Sequence, residues 1–217
     1  MTEKALYKLA MEISGEDPSQ RGKIYGPMPY WYGGREVEGW FVIGKYTVLG
    51  VPEHIRWMSA CPDETTNKRM FAAVRPFIPH EGVSAAGYDI KPDMLRKGIR
   101  AVTGGKYSHG VVYQHNEYVP ALNARLLLRN LEALKSRTVW IYADDVKYGP
   151  CWIYADDVKY GPWQAGFRPA YMFEMGDADC PGAVWVAQLP VNLAYDGGAG
   201  FTDCETKERL ALADIGG

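Results

Sequence analysis

Past Ser136 the apolar residues stop recurring at helical spacing and begin to alternate, and strand-like patterning runs on to about Leu193. Before that point the clearest signals are helical. This change of period from 3.6 to 2 predicts an α+β protein. The first helix is expected over 2–14, where Leu6, Leu9, Ala10 and Ile13 share one face, Thr2 can cap the start and Gly15 can end it. A second begins near Pro92, carries the stripe Leu95, Gly98, Ile99, Val102, and stops at Gly104-Gly105. A third starts at Asn123 as N-cap, with Leu122 and Leu127 as a staple and Leu127, Leu128, Leu131 and Leu134 as the apolar face.

Strands are expected over 40–51, broken at Gly44, and over 107–114. Residues 15–40, centred on a run of Gly and Pro from Gly26 to Gly34, read as turns or irregular loop. Residues 52–86 are ambiguous apart from a short helix near 67–74. Domain organisation follows as an N-terminal α+β domain over 1–83, a second α+β domain over 84–193 and a C-terminal tail over 194–217.

Composition excludes several classes. The 217 residues are 47% hydrophobic and 23% charged, which excludes disordered and fibrous chains. Aromatic residues make up 13%, with 15 Tyr and 7 Trp against 6 Phe, a balance that favours β-structure and half-buried surfaces. No stretch approaches the roughly 20 apolar residues of a membrane span, and the N-terminus has no secretory h-region. Cys61, Cys151, Cys180 and Cys204 show no CxxC spacing, so reduced thiols and a cytoplasmic location are expected.

Residues 140–150 read WIYADDVKYGP, and residues 152–162 repeat all eleven after Cys151. Two copies do not make a solenoid. Each parses as strand, Asp-Asp turn and strand, so a duplicated unit of a β-meander is the economical reading. The period of twelve is even, which puts matching side chains on one sheet face. Asp144, Asp145, Asp156 and Asp157 could hold a hard cation if the two turns met, but aspartate is also an ordinary turn residue.

Catalytic patterns are missing. His54, His80, His109 and His115 form no HExxH or HxH spacing, and no GxSxG elbow, Walker loop or GxGxxG occurs. No metal and no cofactor is expected, and a Cys-His or carboxylate enzyme is the weaker alternative. A second alternative is a carbohydrate- or ligand-binding module using Tyr30, Trp31, Trp140 and Trp152.

The charge pattern carries more. Residues 91–100 hold Lys91, Arg96, Lys97 and Arg100 against Asp93, and residues 123–137 hold Arg125, Arg129, Lys135 and Arg137 against Glu132. With each stretch at +3 and the whole chain at −2, the remainder carries −8. Arg96/Arg100 and Arg125/Arg129 are like-charged i, i+4 pairs, which cost an isolated helix some stability and invite an anionic partner such as a phosphate backbone. The bland alternative is a solvated helix face.

Residues 122–134, LNARLLLRNLEAL, resemble the N-x-x-Y-L-L-x-x-L-x-A-L helix in the last domain of bacterial DNA sliding clamps, with Leu126 in the place of Tyr. The segments that follow are also similar: Val139 and Ile141, then Pro150-Cys151-Trp152-Ile153, and finally VWVAQLPVNL over 184–193. The resemblance covers about 84–193 and implies a clamp-like α+β fold, antiparallel sheets with two or three helices packed on one side, and a non-catalytic, DNA-associated processivity factor in replication, reduced as in a phage or mobile-element protein. It implies double-stranded DNA as partner through Arg96, Lys97, Arg100, Arg125 and Arg129. It also implies a replication protein docking at Pro190 and Val191, and a homo-oligomer.

Overall fold

The computed structural model describes residues 1–32, 35–79, 85–116, 119–142, 169–174, 184–191 and 198–215. Its helices and its antiparallel and mixed sheets make the chain an α+β protein. The residues fall into two compact units. One combines 1–82 with 133–136 and 171–188; the other combines 83–132 with 137–170 and 189–217.

The first unit opens with helix α1 (Glu3–Ser14), where Thr2 Oγ1 accepts from the Ala5 N–H at 3.3 Å. Leu9, Ala10 and Ile13 are buried, as the helical spacing requires. Strands β1 (Lys23–Tyr32), β2 (Arg35–Ile43) and β3 (Thr47–Val51) form an antiparallel meander. Strand β4 (Ser59–Ala60) adds in parallel to the start of β1, and strand β10 (Trp185–Gln188) adds antiparallel to β3. Strand β9 (Ala170–Phe173) follows on the far side of β10. Helix α2 (Glu64–Val74) starts at Asp63, whose carboxylate accepts from Thr65 N and Thr66 N. Those bonds, chiefly from Thr66, hold the Asp63 carboxyl below its usual range.

Residues 15–40 therefore do not form the irregular loop expected from their Gly and Pro content. Most of them are the β1–β2 hairpin. Beyond Ile24 strand β1 has no partner on its other side among the described residues, so Pro27 and Pro29 forfeit no ladder bond there. The core of this unit is aromatic: Phe41 packs against Tyr30, Phe71 and Trp185 with ring centroids 5.5, 5.7 and 6.1 Å away. Gly50 on β3 lies under the Trp185 indole, where a Cβ would stand 2.1 Å from the ring.

The second unit holds a ladder of β5 (Ala85–Asp89) with β8 (Thr138–Tyr142) and a four-stranded antiparallel sheet. That sheet has the order β12 (Arg209–Ala211), β11 (Gly200–Asp203), β6 (Val111–Gln114), β7 (Leu122–Asn123). Residues 194–217 are thus no detached tail, since 200–211 supply two of its strands. Helix α3 (Pro92–Val102) buries Leu95, Gly98, Ile99 and Val102 and lays Gly98 against the Phe201 ring of β11. Helix α4 (Ala124–Leu134) starts at Asn123, whose Oδ1 accepts from Arg125 N and Leu126 N at 3.1 Å each. It buries Leu127, Leu131 and Leu134, while Leu128 is only half-buried. Trp140, Ile141 and Tyr142, the opening of the first WIYADDVKYGP copy, lie on β8, and the rest of the repeat lies outside the described residues.

Candidate functional site

Helix α3 presents Arg96, Lys97 and Arg100 on the side away from its buried stripe, because residues three and four apart share a helix face. All three are exposed, and exposed Lys91 and Lys106 flank the helix at its two ends. Arg96 is engaged: its guanidinium pairs with Asp93 and, at 2.7 Å, with Glu132 of α4. This ion pair is a side-chain link between the two cationic helices. Among the described residues, no hydrogen bond or ion pair engages the side chain of Lys97 or Arg100.

The α4 arginines are placed otherwise. Arg125 is half-buried; its Nε donates to the Ser108 carbonyl and its guanidinium lies over the Tyr107 ring, 4.6 Å from the centroid. Arg129 is also half-buried, and its Nε donates to Asn130 Oδ1 at 3.0 Å. A half-buried guanidinium must find acceptors, since unsatisfied buried donors cost about 1–3 kcal/mol. The fold supplies them from a carbonyl and an amide. Asp203 anchors the same loop: it is buried and its Oδ1 accepts from Ser108 Oγ at 3.0 Å and from Glu205 N at 2.9 Å. Asn123 Nδ2 donates to the His109 carbonyl at 3.0 Å.

Pro190 and Val191 are half-buried, and Val191 N donates to the Ala121 carbonyl at 2.7 Å, which fixes this stretch beside the entry to α4. Among the aromatic residues of the ligand-module alternative, Tyr30 is buried against Phe41 and offers no surface, a correction of that expectation. Trp31 and Trp140 lie on strands, and Trp152 is outside the described residues. Among the described residues, the large apolar side chains that are exposed are Tyr46, Trp57 and Tyr107. Tyr107 was hidden in sequence because it stands at the head of a strand-like run; the Gly104-Gly105-Lys106 turn before it was the available signal.

Among the described residues, no group of three or more His, Cys, Asp or Glu side chains converges as a metal site would. The paired Asp144-Asp145 and Asp156-Asp157 turns lie outside those residues. Burial raises the Cys204 thiol above its usual value, the opposite of an activated nucleophile. His115 sits 2.7 Å from the Tyr113 hydroxyl and edge-on to Tyr88, and burial holds its imidazole below the ordinary value while Asp89 pulls the other way. No described helix is long and apolar enough to cross a membrane. No family model, curated protein or solved structure matches the chain.

Proposed function

We propose that the second unit is a non-catalytic DNA-associated module that holds a phosphate backbone on the outward face of α3. The observation that carries this reading is the pairing of Lys97 and Arg100, whose side chains are exposed and without described partners, beside Arg96 on one helix face. Cations left over after internal hydrogen bonding are the ones a phosphate chain can recruit, and they position nucleic acid without reading its bases. The likeness of residues 84–193 to a clamp domain supports a role in replication as a reduced processivity factor. Arg125 and Arg129 act in this reading as supports of the fold and not as phosphate ligands.

Salt dependence tests it. Binding to DNA should weaken linearly in log K against log salt, with a slope of about −0.9 per phosphate neutralised on a duplex and about −0.7 on a single strand. Lys97→Glu with Arg100→Glu should abolish retention while the unfolding transition stays in place. Retention unchanged in that double variant would refute the assignment of α3. A clamp also requires a closed oligomer, so a monomer by sedimentation limits the reading to surface binding without threading.

A further inference from the structure

We infer that Tyr107 is a base-stacking platform, so that the strand held by α3 is single-stranded nucleic acid. The inference rests on the phosphate-binding reading of α3 and adds the class of strand. Tyr107 is 68% exposed, against 46% for Tyr46 and 51% for Trp57. An exposed side chain ordinarily pays rotamer entropy when a ligand fixes it. This ring is fixed already. Its hydroxyl lies 3.0 Å from His109 Nδ1, the imidazole meets it edge-on with centroids 4.5 Å apart, and Arg125 covers one face.

The supports are themselves held. Arg125 is tied to the Ser108 carbonyl, Ser108 to buried Asp203, and the His109 carbonyl to Asn123. The chain also brings the ring in directly after the helix that carries the phosphate ligands. After α3 it reverses through Gly104 and Gly105, at φ of 58° and 79°, and Gly105 N donates to the Arg100 carbonyl at 2.9 Å. Lys106 and Tyr107 thus follow directly on the helix end that carries Arg100. A cationic track with an aromatic ring at its end is how proteins hold single strands without reading sequence, because every base has a π-face. Bases inside a duplex are stacked on one another and offer no such face. The guanidinium behind the ring braces it through a cation–π contact and leaves the other face for a base.

The test uses the full chain with three labelled probes: oligothymidine, an abasic strand of equal length, and a blunt hairpin duplex. The expected result is tighter binding to oligothymidine than to the abasic strand. Tyr107→Ala should weaken oligothymidine about five- to a hundredfold, the range that one stacked base contributes, and leave the abasic strand unaffected. Tyr107→Phe should retain most of the affinity, since it keeps the ring. Equal binding of base-bearing and abasic strands, or equal loss in Tyr107→Phe and Tyr107→Ala, overturns the stacking role while phosphate binding by α3 stands. Failure of all three probes to bind overturns both readings. Circular dichroism melting of each variant, expected to match the parent, separates lost contact from lost fold.

Discussion

Helices α3 and α4 are each 11 residues long and carry an i, i+4 arginine pair, yet they use their charge differently. On α3, Asp93, Arg96, Lys97, Arg100 and Ala101 are exposed. On α4 only Glu132 is, and both arginines are drawn into hydrogen bonds with the protein. Counting charge along the chain rates the two alike. What separates them is tertiary: a guanidinium that is half-buried is consumed by the acceptors that make its burial tolerable. Availability to a ligand is what remains after that consumption. By this comparison α4 is a structural element, and α3 is an outward-facing one on a buried stripe.

The largest effect should come from the buried face of α4. Leu131→Ala removes a side chain with no exposed surface and should cost about 2–5 kcal/mol in denaturant unfolding. A loss under about 1 kcal/mol would mean that α4 is not close-packed, and the comparison would break. Next is the single point where α3 is tightly fitted. Gly98→Ala places a Cβ 2.1 Å from the fully buried Phe201 ring. Alanine gains about 1 kcal/mol in helix propensity, but overpacking against a ring that cannot retreat should outweigh it. The net cost should be on the order of 1–3 kcal/mol. A stabilised Gly98→Ala would show that α3 rides loosely over β11.

The helix starts sharpen the contrast at a smaller scale. Asn123 caps α4 with its side chain, whereas Lys91 at the start of α3 makes no side-chain cap. Asn123→Ala should therefore cost about 1 kcal/mol, and Lys91→Ala close to nothing, in parallel urea titrations. Equal costs would place the two helices on the same footing.

The residues of α3 were legible because one local pattern specifies them: Pro92 at the start, the stripe Leu95, Gly98, Ile99, Val102, and two glycines at the end. Asn123 was legible for the same reason. The β1–β2 hairpin was not, because Gly and Pro are read as breakers unless the strand's missing neighbour is known. Strand β11 was not, because Phe201 finds Tyr113 of β6 across a long sequence separation, and no local pattern announces such a pairing. The site follows the same division. Lys97 and Arg100 owe their exposure to helix periodicity alone and could be read from spacing. Arg125 owes its role to a carbonyl on Ser108 and a ring on Tyr107 that only the fold brings to it.

The smallest expected change in stability is also the most discriminating for α3 against α4. Glu132 is the exposed residue of α4 that reaches across to Arg96, at 2.7 Å. Both side chains keep substantial solvent access, so the pair is screened and Glu132→Gln should cost no more than about 1 kcal/mol. The same substitution removes a negative charge from beside the cationic face and releases Arg96 from one of its two carboxylates. Affinity for a nucleic-acid strand should then rise, and the salt slope should steepen by up to about one phosphate. Stability and binding move in opposite directions only if Arg96 belongs to the α3 surface and is restrained by α4. A parallel loss of both would mean that the ion pair organises the surface, and that the two helices act as one element.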